Sequence, residues 1–227
     1  MGRSKSVVTI KAVLQYHKFS IESVFRLKIV NKRETSKDIL LIAAADFEII
    51  AVRDVLRAKG YEVQFLCCGI GALDALQRST VFLCEHNLSM SSVIFIGTCG
   101  VLGDFVEPKN LAIEKSIWLP VDERLGLSYR VEGTLPPFDL PRTFNLPHAT
   151  ALSCQNISLN SEYNSPEKIT VENLELYSVV KVFSDYLCNF SAILTTTNAV
   201  GKDAHSQWKT NFKAAGEKAA SWLKEYF

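Results

Sequence analysis

Apolar positions along this chain alternate between two spacings, and the alternation predicts the elements. Ile39 to Ala45 is an unbroken apolar run of the length expected for a strand buried on both faces. Glu48, Ile49, Val52, Val55 and Leu56 follow at helical spacing, and Lys59-Gly60 ends that helix. Tyr61 to Cys68 predicts a second strand, Gly69 and Gly71 a tight connection, and Ala72 to His86 a helix with Leu73, Leu76, Val81 and Leu83 among its apolar positions. Ser92 to Gly97 is a third strand by the same reading. Strands alternating with helices predict an α/β domain whose right-handed crossovers stack helices on a central sheet, with ligands at the C-terminal ends of the strands.

The middle of the chain is less regular. Ala112 to Leu119 and Leu127 to Val131 predict strands, and Pro136, Pro137, Pro141 and Pro147 mark a loop of the kind that shapes pockets. Beyond it, Ala149 to Ser153 predicts a strand, and Asn173 to Leu187 a helix with Leu176, Val179, Val180, Phe183 and Leu187 on one face. Ser191 to Thr197 predicts the last strand. A closing helix from about Ala204 carries Trp208, Phe212, Ala215, Ala219 and Trp222 as a core-facing stripe, whose aromatics are expected to pack.

Composition narrows the class. With 227 residues, 48% hydrophobic and 22% charged, the chain suits one folded domain rather than a disordered or low-complexity polymer. Charged residues interrupt every apolar run before bilayer-spanning length, so the expectation is a soluble, cytoplasmic protein. Cys67, Cys68, Cys84, Cys99, Cys154 and Cys188 form no CxxC pair and no zinc-ligand spacing, which favours reduced thiols and no metal site. Charge divides the chain in two. Residues 1–37 hold nine Lys or Arg against two Glu, whereas the remainder is net acidic. The expected organisation is therefore a basic extension over 1–37 and one domain over 38–227. For the extension, a disordered tail, a transit peptide and a surface for nucleic acid or anionic lipid all stay open.

Several chemistries are excluded. No GxxxxGK[ST] loop, GxSxG elbow or HExxH pair is present, and Gly69-Ile70-Gly71 lacks the third glycine of a dinucleotide fingerprint because Asp74 stands there. What remains is a set of polar and glycine residues at the ends of the predicted strands: Asp46 and Glu48, Gly69-Ile70-Gly71, Gly97-Thr98-Cys99-Gly100, Asn173-Leu174-Glu175, and Thr197-Asn198. Gly97 to Gly100 suits either an ordinary turn or a loop that brings amides and the Thr98 hydroxyl to a ligand. Glu48 and Glu175 suit either a site or a helix start, where the dipole favours acids.

Taken in order, these segments resemble the purine nucleoside phosphorylase and nucleosidase family, which includes the methylthioadenosine/S-adenosylhomocysteine nucleosidases. Ile42 to Glu48 is similar to its first strand and acidic turn, Gly69-Ile70-Gly71 to its GIG turn, and Phe95 to Gly100 to its small-residue ligand loop. Val171 to Glu175 is similar to the segment whose carboxylate holds the ribose diol, and Thr196-Thr197-Asn198 to the strand end that carries an aspartate in many relatives.

The resemblance implies a three-layer α/β fold with a central mixed β-sheet flanked by helices. It also implies cleavage of a purine nucleoside at its N-glycosidic bond, with no metal or organic cofactor, by a homo-oligomer. Glu48 and Asn198 are then the catalytic candidates. The substrate-binding candidates are Glu175 for the ribose hydroxyls, Thr98, Gly97, Leu174 and Asn173, and Gln155, Asn156 and Ile157 near the base. Asparagine at position 198 favours a 6-oxopurine, since an amide donates a hydrogen bond to developing charge but holds no acidic proton. Phe95 stands where phosphorylases of the family place an arginine for phosphate, which tilts the nucleophile towards water. Phosphorolysis and nucleoside binding without catalysis are the alternatives.

Overall fold

The computed structural model describes residues 38–86, 92–159, 169–185 and 190–227. The basic extension, Leu187 and Cys188 lie outside the described residues. The elements in order are β1 (Asp38–Ala43), α1 (Asp46–Ala58), β2 (Glu62–Cys67), α2 (Ala72–Glu85), β3 (Ser92–Val101), β4 (Asn110–Trp118), α3 (Val121–Arg124), β5 (Phe138–Asp139), β6 (His148–Ser153), β7 (Thr170–Glu172), α4 (Leu176–Val182), β8 (Phe190–Ala199) and α5 (Ala204–Tyr226).

These strands belong to one mixed sheet. β2, β1 and β3 are parallel neighbours, as the crossovers through α1 and α2 require. Beyond them β3 pairs with both β8 and β7, and β4 pairs with both β8 and β6. The β6–β7 pairing then closes β3, β8, β4, β6 and β7 into a ring.

β1 shows how this sheet divides its side chains. Leu40 and Ile42 join the core under α2 and α4, while Ile39, Leu41 and Ala43 join the core under α1 and α5. Both faces are covered, which is why the strand reads as a continuous apolar run rather than an alternating one. The result is three layers, helices on each side of a mixed sheet, as the family resemblance implies.

Four local expectations are corrected. Gly97 to Gly100 is neither a turn nor a loop: β3 runs through it to Val101, hydrogen-bonded along β8 with a register shift between Cys99 and Gly100. Leu127 to Val131 is not a strand, because Arg130 is tied to the carbonyls of Leu135 and Trp118, and the neighbour of β4 here is the short β5. The helix expected from Asn173 begins only at Leu176, after β7 has ended at Glu172. In α2, Leu73, Leu76 and Val81 are exposed, while Ala72, Ala75 and Ser79 are buried. Both sets have helical spacing, and the smaller side chains let the helix lie close to the sheet. Phe95 is fully buried in the core beneath α2 and α4.

Candidate active site

The site forms where the C-terminal ends of β1, β3, β7 and β8 meet. Gly100 fixes the register there, paired with Glu172 of β7 on one side and with Asn198 of β8 on the other. A methyl group on Gly100 would come within 2.7 Å of Asn198 Nδ2, so only glycine admits that amide beside the strand. A cavity of about 260 Å³ opens at this point. Glu48, Thr98, Asn173, Leu174, Glu175 and Asn198 line it, together with Ile157.

Glu48 enters from the first turn of α1. Its Oε2 accepts a hydrogen bond from the Ala45 amide at 3.3 Å, half of a capping box, while Oε1 accepts from the Thr98 amide at 3.1 Å and from the Thr98 hydroxyl at 3.3 Å. One carboxylate therefore both caps its own helix and faces the cavity. Burial, reinforced by the neighbouring Glu175 carboxylate, pushes the Glu48 carboxyl up to about 7 despite those three donors. At neutral pH such a group takes up or gives away a proton readily.

Glu175 is buried at the start of α4. Its Oε1 accepts the Gly71 amide at 2.8 Å, and burial raises its carboxyl above the ordinary range while that amide opposes the shift. Gly71 has φ +89, a conformation that favours glycine, and it turns the amide of the GIG segment towards the acid. The glycine turn therefore binds an anion that belongs to the protein itself.

Asn173 holds the same corner. Its Oδ1 accepts the amides of Glu175 at 3.1 Å and Leu176 at 2.8 Å, and its Nδ2 donates to the Thr98 carbonyl at 3.0 Å. Thr98 is the hub, since its hydroxyl also accepts the indole N–H of Trp208 at 3.2 Å. Asn198 is oriented by the Thr197 hydroxyl, which donates to Oδ1 at 2.8 Å, and its Nδ2 donates to the Ala199 carbonyl at 2.9 Å.

Three of the residues expected in the site fall elsewhere in the fold: Gly97 lines a neighbouring cavity with Phe212 and Gly216, and Gln155 and Asn156 are exposed on the loop after β6 without lining the main cavity. Strand register turns Gly97 away, and the loop carries only Ile157 of its three candidates to the wall.

Trp208 and Glu172 add to the wall: the sequence places Trp208, with His205, at the start of the last helix beside the Asn198 to Asp203 loop, where the resemblance implies closure over the base, whereas Glu172 was not singled out. Trp208 packs edge-on against Phe47, as a stripe residue should, but it also lines the cavity beside His205. Its place one turn into α5, next to the loop that follows Asn198, is the signal that distinguishes it from the rest of the stripe. Glu172 is a buried acid of β7 within the Val171 to Glu175 segment, three residues before Glu175.

Among the described residues, the cavity wall contains no lysine or arginine, and no group of three or more His, Cys, Asp or Glu is placed to hold a metal ion. No described helix is long and apolar enough to cross a membrane.

No protein-family model matches the chain, and no curated protein matches it by sequence. Solved structures do. The 5'-methylthioadenosine/S-adenosylhomocysteine nucleosidase of Helicobacter pylori, complexed with butyl-thio-DADMe-Immucillin-A, matches with a TM-score of 0.69 at 14% identity, covering 85% of this chain and 98% of that one. Futalosine hydrolase of the same organism matches with a TM-score of 0.66 at 13% identity, over 82% of this chain and 95% of that one. The 5'-methylthioadenosine/S-adenosylhomocysteine nucleosidase of Neisseria meningitidis, in complex with methylthio-immucillin-A, matches with a TM-score of 0.64 at 15% identity, over 83% and 97%. With its mixed sheet and two helical layers, this chain shares its fold with these solved nucleosidase and futalosine hydrolase structures.

Proposed function

We propose that this chain is a nucleosidase that hydrolyses the N-glycosidic bond of a purine nucleoside. The observation that carries the reading is the convergence of Glu48, Glu175 and Asn198, from three distant segments, on one cavity. In this reading Glu175 holds the ribose hydroxyls and Asn198 contacts the base. Glu48 takes a proton from a water molecule on the face of the sugar opposite the base. The C1'–O bond forms as the C1'–N9 bond breaks, through an oxocarbenium-like sugar; the base departs with the bonding electron pair and takes a proton from solvent, to which Glu48 returns the proton it removed from water. The reaction balances as nucleoside plus water giving ribose and free base, with no metal or cofactor taking part.

Two features support the finer choices. A phosphate dianion placed against two buried carboxylates, in a wall without Lys or Arg among the described residues, lacks the charge-assisted partners that anion needs, whereas water lacks no partner. The Asn198 amide has two N–H groups, of which Ala199 takes one, and an N–H donor stabilises the charge that a departing 6-oxopurine spreads to O6. A homo-oligomer belongs to the same reading.

The test is base release from inosine, adenosine and 5'-methylthioadenosine, with and without phosphate. The expected result is free hypoxanthine and ribose from inosine in phosphate-free buffer. A strict phosphate requirement with ribose 1-phosphate as product would make the protein a phosphorylase. Tight nucleoside binding without base release would make it a binding protein.

A further inference from the structure

Outside the residues given roles above, the described structure has a buried charge cluster against the cavity wall. Glu172 ends β7 and lines the cavity, and Ser158 lies on the loop after β6. Arg124 reaches them from α3, in the irregular part of the chain. All three are buried, the Arg124 side chain at 3% exposure and Ser158 at 1%.

Their bonds close on one another. Glu172 Oε1 accepts the Ser158 amide at 2.9 Å, Oε2 accepts the Ser158 hydroxyl, and that hydroxyl accepts from Arg124 Nη2. Arg124 Nη2 also lies 3.5 Å from Glu172 Oε2. Burying two charges costs desolvation, and a pair of this kind is weak grounds for stability by itself. What it does here is geometric. The loop over residues 155–159 is exposed at every position except Ser158, so Ser158 is its buried residue, and the Cys154 thiol adds a tether to the Asn156 carbonyl at 2.9 Å. The residue immediately before the anchor is Ile157, which lines the cavity although it is 51% exposed.

We propose that Glu172, Ser158 and Arg124 form a clamp that positions Ile157 against the base of the bound nucleoside, so that these three act on substrate affinity through Ile157. The proposal rests on the nucleosidase reading for the identity of the ligand, and it assigns Glu172 a positioning role rather than a chemical one.

The test is a double-variant cycle on Ser158 and Ile157, read both as inosine turnover and as inosine binding by calorimetry. Ser158→Ala keeps the ion pair and removes only the hydroxyl, so folding is preserved where Glu172→Gln would leave the Arg124 charge buried. Ser158→Ala is expected to raise KM about fivefold with kcat nearly unchanged, since the Ser158 amide still binds Glu172 and only the hydroxyl part of the anchor is lost. Ser158→Thr, which keeps a hydroxyl, is expected to restore affinity. In an Ile157→Ala background, Ser158→Ala is expected to add no further loss, because the residue it acts through is already gone. Effects that multiply, or a loss confined to kcat, would overturn the clamp. Binding that shows the expected coupling without base release would overturn hydrolysis and leave the clamp standing. Full turnover with unchanged affinity in Ser158→Ala would do the reverse, and absence of both binding and turnover in the unmodified protein would overturn both.

Discussion

Two groups of residues in the cavity wall are built from different chemistry. In one, Glu48 and Glu175 are buried carboxylates raised above their ordinary range, each held by backbone amides from a separate segment. The other group, Asn198 and Ile157, is neutral, and hydrogen bonds that carry no net charge orient Asn198. The acidic pair keeps its charges in an unfavourable setting, which costs stability and makes a base responsive near neutral pH. The neutral pair offers shape and one amide. In the proposed reading, rate belongs to the first group and choice of base to the second.

Removing the more perturbed acid should break the comparison most visibly. Glu48→Gln is expected to lower kcat about a thousandfold with KM changed little, measured as base release from inosine. In the unmodified protein the same rate should climb with pH and level off above about 7, because only the ionised Glu48 accepts a proton. A variant that keeps full kcat would return Glu48 to the role of a capping acid.

The stability of the fold provides the next test. A carboxyl raised in the folded state binds more protons there than in the unfolded chain, so its contribution falls as pH rises between about 4.5 and about 7. Relative to Glu48→Gln, the unmodified protein should lose about 3 kcal/mol across that interval, read from denaturant unfolding at about pH 4.5 and about pH 8. No difference between the two proteins would mean that Glu48 carries no desolvation cost.

The smallest effect belongs to the neutral pair. Asn198→Asp is expected to shift the ratio of inosine to adenosine cleavage about tenfold towards adenosine, the size of one hydrogen bond gained and one lost. An unchanged ratio would remove Asn198 from base selection and sharpen the case for the loop that carries Ile157.

Much of this was legible in the chain. The continuous apolar run of β1 and the helical spacing of α1 located both elements to within a few residues, because burial on both faces and on one stripe leaves distinct periodicities. The start of α5 was read at about Ala204, and the helix begins there. Leu127 to Val131 misled because a run of apolar residues pairs only when a neighbouring edge is free, and β5 holds that edge. Glu172 stayed hidden for a related reason. An acid before a helix looks ordinary until the surrounding strands are placed.

The sequence by itself determined the order of strands and helices, the glycines that turn them, and which acids stand at strand ends, since all of these depend on neighbours within a few residues. Tertiary structure decided that Gly100 sits between Glu172 and Asn198, that the Gly71 amide faces Glu175, and that Glu48 lies deep enough to titrate near neutral pH. Strand register and desolvation are set by contacts between residues far apart in the chain, and local spacing does not encode them.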